Sequence, residues 1–257
     1  MSTSESSTAP GTTGPGDVLP RSPAFVTTHW SVVLTAGQSD TTRAQAALEK
    51  LCQTYWYPLY AYVRRRGQSV EDAQDSTQEF FARLLAGNWV GDADRNRGRF
   101  RTFLLTALNR FLANEWDRAS AKKRGGGAVA VPLDTEVAET RYGAEAGAAL
   151  APDQLYDRQW AMTLLERALG RLEAEQQRLG RAAEFAVLSP ALTAERGEIP
   201  YATMAAQLGH QETAVRMAVH RLRKRFREVF REEISQTVAD PNEVEEEIRY
   251  LLAALAG

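Results

Sequence analysis

The chain has 257 residues, 44% of them hydrophobic and 25% charged, with a formal net charge of −2. That length allows one large or two small soluble domains. A single cysteine excludes an intramolecular disulfide, and no stretch approaches the roughly 18 consecutive apolar residues of a membrane span.

The near-zero net charge hides strong segregation. Arg95 to Arg124 hold nine Arg or Lys against two acids, and Gln211 to Arg231 hold seven against two. Glu232 to Glu247 hold seven acids and no base. Two separate basic segments suggest two contacts with one polyanion.

Residues 1–22 are rich in Ser, Thr, Gly and Pro and lack both a basic start and an apolar core. They read as a disordered tail and not as a secretory signal, so the expected compartment is cytoplasmic. Ser39 to Thr42 offer a helix start, and Ala44 to Arg66 follow with apolar residues at helical spacing from Leu48 to Val63. Pro58 is expected to kink or interrupt this helix. Cys52 lies among its apolar positions and reads as a small core residue.

Ser69 is placed to cap a second helix, with Glu71 and Asp72 in its first turn. Ala73, Thr77, Phe80, Phe81, Leu84 and Leu85 form its apolar face, and Gly87 is expected to end it. Asn88 to Gly98 form a polar loop around Trp89. A third helix is predicted over Phe100 to Lys123, with Phe103, Leu104, Leu108, Phe111, Leu112 and Trp116 inward. Residues 125–154 read as a flexible linker by their Gly, Ala and Pro content. Helical spacing returns at Leu155 and runs through Trp160, Leu164 and Leu172. Another helix is expected over Glu184 to Leu192, broken near Pro190.

Ile199 to Phe230 then read as two helices joined by a tight turn at Gly209, the residue type best able to adopt a left-handed backbone. Val215, Val219, Leu222, Phe226 and Phe230 make one buried stripe on the second helix. Thr213, Arg216, Met217, His220, Arg221 and Lys224 occupy the other face. This is the pattern of a helix-turn-helix, whose second helix enters the DNA major groove. Side chains near that helix's start reach base edges, which selects Gln211, Glu212, Thr213, Arg216, Met217 and His220. Arg221 and Lys224 are placed to meet phosphates. Asp240 and Pro241 open a last amphipathic helix within residues 237–257, with Val244, Ile248, Leu251, Leu252 and Leu255 as its stripe. It is expected to fold back onto one of the lobes, either as a plain cap or as an acidic brake on DNA binding. The predicted fold is all-α: two helical lobes, 23–124 and 155–236, joined by a flexible linker, the second lobe containing the helix-turn-helix.

Two motifs resemble bacterial RNA polymerase sigma factors of the extracytoplasmic-function type. Glu71-Asp72-Ala73-Gln74-Asp75-Ser76-Thr77-Gln78-Glu79-Phe80-Phe81-Ala82-Arg83-Leu84-Leu85 resembles that family's polymerase-clamp helix, and Gly209 to Leu222 resembles its closing helix-turn-helix. Between them, Gly98-Arg99-Phe100-Arg101-Thr102-Phe103-Leu104 stand where the family melts and reads the downstream promoter element. Where the family carries Asp-x-Leu-Arg-Arg, this chain has Asn114-Glu115-Trp116-Asp117-Arg118. The resemblance implies a region 2-like domain over 23–124 and a region 4-like domain over 155–236. It implies core RNA polymerase and promoter DNA as partners, and leaves room for an anti-sigma protein. Asp72, Asp75, Gln78 and Glu79 would then bind polymerase. Trp89, Arg97, Arg99, Arg101, Asn109, Asn114 and Arg118 would bind DNA, as a positive, aromatic-lined groove holds single strands.

No catalytic residue, metal site or cofactor is expected. The three histidines, His29, His210 and His220, have no ligand spacing, and Gly125-Gly126-Gly127 lack the Lys-Ser/Thr of a phosphate-binding loop. The alternatives are an autonomous helix-turn-helix regulator, which would not need polymerase, and a DNA-processing enzyme, which would need a metal or nucleophile.

Overall fold

The computed structural model describes residues 29, 42–86, 98–119, 134–145, 149–195 and 197–256. Among them there is no strand. The helices are α1 (Thr42–Arg65), α2 (Val70–Leu85), α3 (Phe100–Ala119), α4 (Thr135–Glu145), α5 (Pro152–Arg178), α6 (Ala182–Leu188), α7 (Tyr201–Leu208), α8 (Glu212–Ser235) and α9 (Val244–Ala256). Short 3₁₀ turns at Ser189–Leu192 and Pro241–Glu243 follow α6 and precede α9. The 1–22 tail, Gly87, Trp89, Arg97 and the 125–127 glycines lie outside the described residues, as do the side chains of Leu85, Trp116 and Arg118.

Side-chain caps mark some of the helix starts. The Ser69 hydroxyl accepts the Asp72 N–H at 3.0 Å, satisfying one of the unpaired donors at the start of α2. Asp240 does the same for Asn242 at 2.8 Å ahead of α9. Pro58 does not interrupt the helix: α1 runs on as one helix through it. The proline removes one backbone donor, but Tyr55, Leu59, Tyr60, Ala61 and Val63 around it are all fully buried. That packing holds the helix together across the missing bond.

The region read as a linker contains α4. It has little apolar surface of its own; among its described side chains only Ala138 is buried. Ion pairs hold it instead. Glu139 meets Arg64 at 2.8 Å and accepts the Tyr60 hydroxyl at 2.5 Å, and Arg141 reaches Glu166 at 3.2 Å.

The buried side chains form two clusters. The larger joins α1, α2, α3, Ala138 of α4, the first half of α5, the end of α8 and α9. Its centre is aromatic: Trp160 of α5 stacks on Tyr55 of α1 with ring centroids 4.2 Å apart. The smaller joins Leu172, α6, α7 and the first half of α8. α5 and α8 pass antiparallel through both clusters, and Phe226 touches both. The division between cores therefore falls midway along α5, whereas the sequence expectation sets the second lobe's start at residue 155. Arg167 and Arg171 of α5 fasten the pair to Glu233 of α8 at 2.8 and 2.6 Å. Burial works against the Glu233 charge, but hydrogen bonds from Arg171 and Arg167 outweigh it and hold the carboxyl below its ordinary range.

Candidate nucleic-acid interface

The turn between α7 and α8 sets the direction of α8. Gly209 ends α7 with φ of 66°, a left-handed conformation that a side chain disfavours. The His210 N–H then bonds back to the Ala205 carbonyl at 3.0 Å. Ile199, Met204 and Ala205 bury against Val215, Val219 and Leu222, so α8 shows its opposite face to solvent.

That face is the one read from the sequence. Gln211, Glu212, Thr213, Arg216, Met217, His220, Arg221 and Lys224 are all exposed. Met217, a large apolar side chain, is 57% exposed, which suits contact with an apolar group such as a thymine methyl. Arg216 is held in a defined pose. Its Nε and Nη2 both donate to Glu212 Oε1, at 2.9 and 2.5 Å, and its guanidinium lies 4.2 Å from the centre of the Tyr201 ring. The carboxylate occupies the Nε–Nη2 edge of the guanidinium. Glu212 thus acts on Arg216 besides being exposed itself. Tyr201, on α7, has no signal in the sequence, because its contact with Arg216 crosses the turn.

Three other cations of α8 serve packing. Arg223 donates to the Ala191 and Ala194 carbonyls at 2.8 and 2.6 Å, fixing the loop after α6. Arg225 pairs with Glu175 of α5 at 2.9 Å, and Arg231 with Glu245 of α9 at 2.8 Å.

The second expected surface begins at Gly98. Phe100 is fully buried, as its place in the stripe of α3 predicts. Arg99 and Arg101 are not displayed to solvent. Arg101 is buried, with Glu247 at 2.7 Å and Asp157 at 2.7 Å, and Tyr250 lies flat against it at 4.2 Å. Burial opposes its charge, but the hydrogen bond and charge of Glu247, with Asp157, more than compensate, so its basicity rises. Arg99 meets Glu246 at 2.6 Å and Glu247 at 2.8 Å. Asn109 is half-buried, its Oδ1 accepting from the Tyr62 hydroxyl at 2.9 Å and from Arg66 at 2.8 Å. Asn114 is exposed on α3. Glu247, wholly buried, escapes the sequence reading although its spacing from Val244 and Leu251 places it on the inner face of α9.

On α2, Asp72 and Asp75 are exposed, and Gln78 and Glu79 are half-buried. The apolar face expected there, from Ala73 to Leu84, is buried. Glu79 pairs with Arg83 at 2.8 Å, and Arg83 reaches on to Glu115 of α3 at 2.9 Å. The acidic face of α2 is thereby braced against α3.

Cys52 is buried and its thiol is pushed up to about 12 by that burial, so it is unreactive as a nucleophile. Among the described residues, no cluster of His, Cys, Asp and Glu could hold a metal, and no helix is long and apolar enough to cross a membrane.

Fold and surface together define, among the described residues, an all-α protein in which two helices joined by the turn at Gly209 leave the second with a basic, solvent-facing side. The ECF sigma factor family matches residues 38–231, and the chain belongs to that family. Its members are regulatory factors of transcription initiation and not enzymes. Comparison with curated proteins and with solved structures finds no match. The family match ends at Arg231, so α9 lies wholly beyond it.

Proposed function

We propose that the chain binds core RNA polymerase and directs it to a set of promoters bearing two recognised elements. The observation that carries this reading is the exposed face from Gln211 through α8 to Lys224, set opposite the buried Val215, Val219 and Leu222 and aimed by the turn at Gly209. In this reading Arg216 donates to a guanine edge, while Arg221 and Lys224 meet phosphates. Asp72, Asp75, Gln78 and Glu79 dock on the polymerase clamp, with Arg83 bracing Glu79. The segment from Trp89 to Arg101, with Asn109, Asn114 and Arg118, engages the opened downstream element.

No step of this function requires a catalytic group, since polymerase performs the chemistry. Full-length protein should retain core polymerase on an affinity support, and Asp72→Arg/Asp75→Arg should weaken that retention without changing the fold. Promoter binding that needs no polymerase, with no retention of core enzyme, would favour an autonomous regulator instead.

A further inference from the structure

α9 sits on the segment expected to engage opened DNA. We propose that α9 is an acidic latch that occupies Arg99 and Arg101 in the free protein and yields them only when DNA phosphates take the place of its carboxylates. The inference rests on the proposed promoter-directing function and adds how that activity is restrained.

The contact is dense and polar. Glu246 and Glu247 hold Arg99, and Glu247 with Asp157 of α5 holds Arg101. The Tyr250 hydroxyl donates to Asp157 at 2.5 Å, and its ring covers Arg101. The chain just before α9 adds a backbone bond, from the Phe100 N–H to the Thr237 carbonyl at 2.8 Å. On its outer side Glu245 takes Arg231, the last residue of the family match, so one short helix ties the ends of both basic segments.

A helix that only closed a core would be served better by leucine at position 247. Buried ion pairs seldom stabilise more than apolar packing of the same volume, because both charges must be desolvated. Removing one partner alone leaves a buried charge unpaired, which is strongly unfavourable. Exchange of one anion for another avoids that penalty. A phosphate can offer Arg99 and Arg101 the same bidentate acceptor geometry that the carboxylates offer. The latch is therefore closed to most disturbances and open to a polyanion held nearby, as it would be once polymerase has positioned the promoter.

The test is Glu246→Gln/Glu247→Gln in the full chain, titrated against a single-stranded oligonucleotide without polymerase. A charge-matched control, Glu136→Gln/Glu195→Gln, alters remote exposed acids. Release of two phosphate-binding cations should tighten binding by about tenfold at low salt and steepen the salt dependence on single-stranded DNA by about 1.4 units. The control should gain far less. Adding Arg99→Ala/Arg101→Ala to the latch variant should abolish the gain. Circular dichroism establishes folding. If the double variant does not fold, Tyr250→Ala, which alters a half-exposed side chain, should still tighten binding about threefold. An equal gain in latch variant and control, or no gain in a folded latch variant or in Tyr250→Ala, overturns the latch. Run-off transcription by the wild type with core polymerase, done in parallel, tells whether the promoter-directing reading itself has failed.

Discussion

Arg216 and Lys224 share the exposed face of α8 but differ in what surrounds them. Arg216 is oriented by Glu212 and Tyr201. Arg216→Ala should relax promoter selectivity by ~1–3 kcal/mol, the usual worth of a bidentate base contact. Lys224→Ala should weaken matched and scrambled sequences alike and lower the salt dependence by about one unit. Titrations on both sequences at several salt concentrations separate the two effects. If Tyr201 positions Arg216, Tyr201→Ala should reduce selectivity in the same direction, while Tyr201→Phe, which keeps the ring, should not. His29 supports a different expectation. Its ring is buried between Tyr55 and Phe100, and burial lowers its pKa from 6.5 to about 4. The unfolded chain therefore binds a proton that the folded chain refuses, and stability must fall as pH drops from 6.5 toward 4. Urea unfolding of the wild type between pH 7 and pH 5 should show this loss, and His29→Leu should flatten it. The residue scale is also where sequence reading runs short. Tyr201 and Glu247 make their contacts across a turn and across most of the chain, and no local pattern announces either partner.

Individual helices were legible to the extent that each carries its own apolar stripe. α2, α5, α7 and α8 have such stripes and were expected close to where they lie. α4 has almost none, so composition suggested a linker; its helix is held by Arg64, Tyr60 and Glu166, which belong to other elements. Pro58 fails to end α1 for a related reason, since packing on both sides outweighs the local defect. Two substitutions test these elements. Gly209→Ala meets no atom within 4 Å, so its cost is backbone conformation alone. It should destabilise the protein by ~1–2 kcal/mol and weaken promoter binding by misaiming α8. Trp160→Ala should cost ~3–5 kcal/mol, because it removes a fully buried side chain from the stack on Tyr55. Thermal melting of the two variants, with promoter binding measured while they are folded, checks both: only Gly209→Ala should change aim.

At the scale of the molecule, the charge segregation visible in the sequence proves to be an arrangement in space. Four of the acids after Glu232 are paired: Glu233 binds α5, Glu245 binds α8, and Glu246 and Glu247 bind the start of α3. Whether α9 would meet the first core or the helix-turn-helix was open from sequence, because an amphipathic stripe states that burial occurs and not where. It meets both. The division of the cores along α5 was hidden likewise, since a long helix with one continuous stripe does not mark where its neighbours change. The central claim is that this chain gives core RNA polymerase a promoter address. Its most direct test is run-off transcription with purified core polymerase and fragmented genomic DNA, followed by mapping of the start sites. The account predicts discrete starts that require the chain, share two upstream motifs, and lose the more distant motif's influence with Arg216→Ala. Core polymerase that initiates at the same sites with and without the chain would contradict it.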